Sequence, residues 1–146
     1  MSDKLILVVE DNPDHMELTV LTLEELGVSA EIAVAYDGAA ALDYLFGQGC
    51  HAGRDIRRQP AFILLDMKLP KLSGLDVLRS VRSNPLTALV PVIMLTSSSE
   101  HSDMVACYQS GASSFVRKPV DFVDFTQKLN LLQAYWLGVN ESLAAA

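Results

Sequence analysis

Short apolar runs alternate with longer amphipathic stretches along the chain, and this alternation predicts the elements in turn. Residues 5–9 (LILVV) are uninterrupted, β-rich and short, which predicts a strand buried on both faces. From 14 to 26 apolar positions mix with Glu17, Glu24 and Glu25, and Gly27 follows as a stop, so a helix is expected there. A strand at 32–35 and a helix at 37–46 come next, the helix ended by Gly47. Residues 47–60 (GQGCHAGRDIRRQP) are broken by three glycines and a closing proline, which predicts a loop longer than most connections. A strand at 61–65, a helix at 75–83 before Asn84-Pro85, a strand at 90–95 and a helix at 100–110 closed by Gly111 complete the middle. A short strand at 114–116 and a long helix at 120–137 end the series. On that last helix Phe122, Phe125, Leu129, Leu132 and Trp136 share one face, expected to pack inward, while Leu131 and Tyr135 fall away from it.

Five strands separated by five helices make a (βα)5 chain. Strands apolar on both faces need helices on both faces, which predicts a parallel, doubly wound α/β sheet. At 146 residues one domain is expected, large enough to fold without a disulfide or structural metal. No apolar run approaches the roughly 20 residues of a membrane span, and the first residues are a strand rather than a secretion signal. A cytoplasmic setting is the expectation. The net charge of −7 argues against nucleic acid as a partner, which would need clustered Lys and Arg. The densest basic group, Arg54, Arg57 and Arg58, lies in the predicted loop, either as a solvated segment or as a dock for an acidic partner. Cys50 and Cys107 are far apart and read as reduced thiols; His15, His51 and His101 have no metal-ligand spacing.

Ligands of such sheets bind outside the carboxyl ends of the strands. Glu10 and Asp11 follow the first strand and Asp66 the third; Thr96 ends the fourth, with Ser97, Ser98 and Ser99 behind it; Lys118 follows the fifth. Carboxylates this close repel one another unless a cation intervenes, and hard oxygen donors suit Mg2+. With an ammonium and a hydroxyl alongside, the set forms a receptor for a tetrahedral dianion, and Asp66 reads as a nucleophile that carries a phosphoryl group as an acyl phosphate. A glycine-rich phosphate loop is excluded, because the first turn is Glu10-Asp11-Asn12-Pro13. An aspartyl-phosphate phosphatase would place a second acid two residues after the nucleophile, where Lys68 stands. A scaffold without phosphorylation would be expected to lack an acid or the lysine. Asp14 and Asp37 read as helix-start or satisfied loop residues.

The motifs LILVVEDN, ILLDMKLPKLSG, VIMLTSS and GASSFVRKPV resemble the response-regulator receiver domains of bacterial two-component signalling, over about residues 4–137. The resemblance implies a flavodoxin-like sheet in the order 2-1-3-4-5, with Asp66 as phosphoacceptor for a sensor histidine kinase. It implies Mg2+ held by Asp11, Glu10, Asp66 and the backbone carbonyl of Lys68. Lys118 would pair with the phosphoryl group, preceding Pro119 through a cis bond. Thr96 and Phe115 would form a switch pair acting on the face made by the fourth helix, fifth strand and fifth helix. Lys68 and Ser98 would tune the lifetime of the phosphoryl group. No output domain is expected after the fifth helix, so the protein would act as a phosphorelay intermediate or as a switch that signals through a protein-binding surface to an unidentified downstream partner. The long loop, the segment after the third strand and the closing LLQAYWLG also resemble single-domain regulators that serve phytochrome-type kinases. Those tend to dimerise through the fifth strand and helix.

Overall fold

The structure, a computed structural model, describes residues 4–25 and 30–143. The predicted helix end at Leu26, its stop Gly27 and the tail at 144–146 lie outside the described residues. Five parallel strands, β1 (Lys4–Val9), β2 (Ala30–Ala35), β3 (Phe62–Leu65), β4 (Val92–Thr96) and β5 (Ser114–Arg117), form one sheet in the order β2-β1-β3-β4-β5. The helices are α1 (Pro13–Glu25), α2 (Gly38–Phe46), α3 (Gly74–Ser83), α4 (His101–Gln109) and α5 (Phe122–Gln133).

Successive side chains of a strand face opposite sides, and the central strands use both. Leu7, Val9, Ile63, Leu65 and Met94 pack with Ala41, Leu45, Val77, Leu78, Val81 and Cys107 of α2, α3 and α4. Ile6, Val8, Phe62, Leu64, Ile93 and Leu95 pack with Met16 and Leu23 of α1 and Phe125 and Leu129 of α5. This two-sided burial is why the central strands are unbroken apolar runs. It also fixes the register of β1, β3 and β4, since a one-residue slip would exchange the two cores.

Local chemistry sets the helix ends. Asp37 caps α2, its carboxylate accepting from the Ala40 N–H at 2.7 Å, and Gly47 ends that helix in the left-handed conformation at φ 64°. Ser73 and Asp76 close a reciprocal capping box on α3. The cap of α1 is Asn12 rather than Asp14: its Oδ1 accepts from the Asp14 and His15 N–H groups. Pro13 takes the first helical position, where a missing N–H costs nothing, and this moves the cap two residues upstream.

The 47–60 segment is ordered. A single 3-10 turn at Gly49–His51 opens it, and Arg54 then reaches back to the end of α2. The Arg54 guanidinium donates to the carbonyls of Tyr44 (2.6 Å), Leu45 (3.4 Å) and Arg58 (2.7 Å) and lies 4.1 Å from the Tyr44 ring centre. Arg57 pairs with Asp55 and Arg58 with Glu31 beside the sheet edge. All three arginines thus have partners within the chain, and Arg54 serves as a cap for carbonyls that α2 leaves open.

On α5 the inward face holds for Phe125 and Leu129, with Leu132 and Trp136 half-buried behind them. Phe122 departs from the expectation: at 60% exposure it stands at the first position of the helix, beside the cavity at the carboxyl edge of the sheet rather than over the sheet. The helix also changes pitch. Ala134–Val139 is π-helical, closed by a 2.7 Å bond from the Asn140 N–H to the Tyr135 carbonyl. The wider turn lets Leu132, Trp136 and Leu137 all reach the core, while Leu131 (71%) and Tyr135 (48%) remain exposed as expected.

Replacing Arg54 with Ala opens three carbonyl contacts and is expected to lower the unfolding free energy by about 2 kcal/mol in urea titration. Arg57→Ala, at a solvated pair, is expected to leave the urea midpoint unchanged.

Candidate functional site

The parallel ladder continues one rung past each strand, and these rungs hold the chemically interesting residues. The Glu10 N–H donates to the Ala35 carbonyl (3.0 Å), the Asp66 N–H to Val9 (3.1 Å) and the Lys118 N–H to Thr96 (2.7 Å). The loops after β1, β3 and β5 are thereby tied to the sheet edge by main-chain bonds before their side chains interact. The α3 N-terminus presses against the same place. A Cβ on Gly74 would stand 2.1 Å from the Asp66 carbonyl oxygen and 2.8 Å from the Met67 Cα, so only glycine permits the approach. Nothing in the chemistry of KLSG singled this residue out, because its role is space rather than reactivity.

Glu10, Asp11 and Asp66 each offer a carboxylate oxygen, all within 4.8 Å of one another. Glu10 is buried, Asp66 half-buried and Asp11 exposed. The Lys118 ammonium bridges two of them, bonded to Glu10 Oε1 and, at 3.1 Å, to Asp66 Oδ2. Glu10 Oε2 accepts from the Asn12 N–H (3.1 Å) and Asp66 Oδ1 from the Lys68 N–H (3.0 Å). Among the described residues no cis peptide occurs, so the expected cis bond before Pro119 is corrected to trans: Lys118 reaches both carboxylates from the main-chain path that its bond to Thr96 sets.

Burial pushes the Glu10 carboxyl above the usual glutamate range. Bonds from Lys118 and the Asn12 N–H offset part of this, and the neighbouring Asp66 charge adds to it. For Lys118 burial acts downward, but the bond to Glu10 and the charges of Asp66 and Glu10 outweigh it, and the ammonium is held above its ordinary value. Three carboxylates facing one ammonium leave an excess of negative charge. The donor set is hard oxygen, one member is exposed to solvent, and the spacing allows shared ligation, so these residues fit a divalent cation.

Thr96 is buried beside this cluster. Its Oγ1 accepts from the Ser98 N–H (3.2 Å), and no described residue accepts the Thr96 hydroxyl proton. That bond uses the oxygen as an acceptor, so the hydroxyl keeps a proton it can donate. Phe115 is half-buried against the α2–α3–α4 core, and its N–H donates to the Tyr108 hydroxyl at 3.2 Å. Lys68 points into solvent. Ser98 is buried, with its hydroxyl donated to Asp103 at 2.5 Å. His15, which carried no site signal in the sequence, stands 3.9 Å from Glu10 and, with Lys118, lines a cavity of about 350 Å3. The cavity also touches Leu18, Val120, Phe122 and Phe125.

Residues 6–130 match the family model described as the response regulator receiver domain. A probable methanogenesis regulatory protein, FilR2, of Methanothrix harundinacea is 37% identical over 94% of this chain and 86% of its own length. The response regulator Rcp1 of Synechocystis is 31% identical over 92% and 89%. The crystal structure of Mn2+-bound Rcp1 superimposes with a TM-score of 0.89 at 30% identity, covering 97% of this chain and 99% of that one. The phosphorylated cyanobacterial phytochrome response regulator RcpA gives 0.91 at 28%, covering 98% and 100%. The bacteriophytochrome response regulator AtBRR gives 0.76 at 43%, covering 98% of each chain. The chain belongs to the response regulator receiver family of two-component signalling, and phytochrome-associated regulators are among its structural neighbours. Receivers are signalling proteins, partnered by sensor histidine kinases. Among the described residues no helix is long and apolar enough to cross a membrane.

A proton competes with a metal ion for Glu10, and the raised carboxyl holds that proton to a higher pH. Divalent affinity measured by calorimetry is expected to fall as pH drops, through a midpoint above the about 4.3 of an unperturbed glutamate. Glu10→Gln is expected to remove that step and to weaken binding at neutral pH.

Proposed function

We propose that this protein is a Mg2+-dependent phosphoacceptor switch: Asp66 takes a phosphoryl group from the phosphohistidine of a sensor kinase, and the modified protein signals through a binding surface. The observation that carries the reading is the cluster of three carboxylates, two of them bonded to one ammonium, at the carboxyl edge of the sheet. Glu10, Asp11, Asp66 and the Lys68 carbonyl would hold the metal ion, which when bound supplies neutralising charge to phosphoryl oxygens.

The chain's own groups do the rest. A side-chain oxygen of Asp66 bonds to phosphorus as the bond from phosphorus to the imidazole nitrogen breaks, and the imidazole leaves with that electron pair. Lys118, already bonded to Asp66, moves its charge onto the phosphoryl oxygens. Thr96 donates its unclaimed hydroxyl proton to one of them. That motion opens space for Phe115 to turn inward from its half-buried position, which changes the face formed by α4, β5 and α5. Phe115 has no hydroxyl, so packing alone sets its preference. Lys68, in solvent at the mouth, and Ser98, behind Thr96, stand where they can adjust the approach of water and hence the lifetime of the acyl phosphate.

Two surfaces fit protein partners. Beside the phosphoacceptor, the cavity bounded by His15, Leu18, Phe122 and Phe125 suits the kinase helix that presents the phosphohistidine. The likeness to the phytochrome response regulator RcpA and the bacteriophytochrome response regulator AtBRR favours a bacteriophytochrome as that kinase. On the other side of α5, Leu131 and Tyr135 flank a groove of about 510 Å3 reaching Val116 of the edge strand, and this strip suits a second copy of the chain.

Incubation with Mg2+ and acetyl phosphate is expected to add one phosphoryl group to the intact mass of the wild type and none to Asp66→Asn; equal masses would refute the phosphoacceptor role. Light scattering is expected to show a dimer for the wild type and a monomer for Leu131→Asp combined with Tyr135→Ala.

A further inference from the structure

The N-termini of α3 and α4 differ in a way that concerns the switch. On α3 the capping box closes on itself: Ser73 accepts from the Asp76 N–H and Asp76 accepts from the Ser73 N–H. On α4 the cap is Glu100, whose own side chain makes no capping bond. Asp103 holds the third helical position, as Asp76 does, but it does not accept from the cap N–H. Ser98 is inserted between them. The Glu100 N–H donates to Ser98 Oγ at 3.2 Å, and Ser98 Oγ donates to Asp103 Oδ2 at 2.5 Å. The same Ser98 donates its own N–H to Thr96 Oγ1. One residue therefore ties the hydroxyl oxygen of Thr96 to the first turn of α4.

We infer that Asp103 is a positioning residue for phosphoryl transfer: through Ser98 it holds the loop between β4 and α4 so that Thr96 keeps its hydroxyl away from the phosphoacceptor. The inference rests on the phosphoacceptor reading of Asp66. No hydrogen bond joins Thr96 to Asp66 among the described residues, although both lie at the same mouth. For Thr96 to donate to a phosphoryl oxygen its side chain must shift, and Ser98 must follow or release it. Ser98 is restrained by a carboxylate, and bonds to charged acceptors are the stronger kind. The transfer-competent arrangement is then a minor one, and the rate is reduced by its fraction. Loss of the Asp103 bond raises that fraction severalfold or more for a bond of this type.

The test is the rate of phosphorylation by acetyl phosphate with Mg2+, followed by intact mass in the wild type, Asp103→Ala, Asp103→Asn, Ser98→Ala and the Ser98→Ala/Asp103→Ala pair, with urea midpoints as a check on folding. Asp103→Ala is expected to speed phosphorylation several-fold. Asp103→Asn keeps an acceptor oxygen without the charge and is expected to stay within about twofold of wild type. Ser98→Ala is expected to match Asp103→Ala, with no further gain in the pair. An unchanged or slower Asp103→Ala overturns the inference, as does an Asp103→Asn as fast as Asp103→Ala, which would make charge repulsion the cause. Additive effects in the pair overturn it too. A wild type that gains no phosphoryl group on Asp66 marks failure of the phosphoacceptor reading itself, and the inference falls with it.

Discussion

The ammonium of Lys118 stands between two carboxylates that folding forces together, and the rest of the site depends on that contact. Glu10 and Asp66 are brought side by side by the rungs from Ala35 and Val9, which belong to the main-chain ladder and not to any attraction between the acids. Left alone, the pair would repel in a region where burial already disfavours charge on Glu10. Lys118 relieves the repulsion between these two, yet Asp11 remains beside them on the solvent side. The fold thus maintains an unbalanced negative mouth, closed on one side by Gly74 and open on the other. Such a mouth fits a divalent cation, and the proposed phosphoryl transfer relies on that fit.

Energy and function are separated along the chain. The two faces of the sheet carry the stability, through Leu7, Val9 and Ile63 on one side and Ile6, Val8 and Leu64 on the other. The carboxyl edge carries the clustered charge of Glu10, Asp11 and Asp66. Between them lie adjustable contacts: Ser98 with Asp103, and the Phe115 N–H with the Tyr108 hydroxyl. Each joins α4 to the strand end or loop beside it, so α4 is clasped at both of its ends. A rearrangement at Thr96 has a hydrogen-bonded path to the helix as well as the packing path through Phe115.

Much of this was legible in the sequence because its physics is local or periodic. Apolar runs flanked by helical stretches are enough to place Glu10, Asp66, Thr96 and Lys118 at one edge, since the rule about strand ends needs only their order. Less legible were features fixed by tertiary geometry. Arg54, Arg57 and Arg58 look like a free basic patch until Arg54 is seen to cap α2 from a loop folded back upon it. Phe122 fits the apolar stripe of α5 by periodicity, but the helix begins beyond the sheet and leaves it exposed. Asp14 looks like a cap until Pro13 shifts that role to Asn12. The π-helical turn after Gln133 follows from packing Leu132, Trp136 and Leu137 together. The partnership of Ser98 with Asp103 follows from the angle at which α4 leaves the loop.

The proposed phosphoryl transfer requires Lys118 to exchange a carboxylate partner for phosphoryl oxygens. A high-resolution crystal structure with Mg2+ and beryllofluoride, which mimics a phosphoryl group on a carboxylate, tests it most directly. Beryllium is expected bonded to Asp66, with Lys118 Nζ on one fluorine and the Thr96 hydroxyl on another. Beryllofluoride bound elsewhere, or bound to Asp66 with Lys118 turned away from every fluorine, would contradict it.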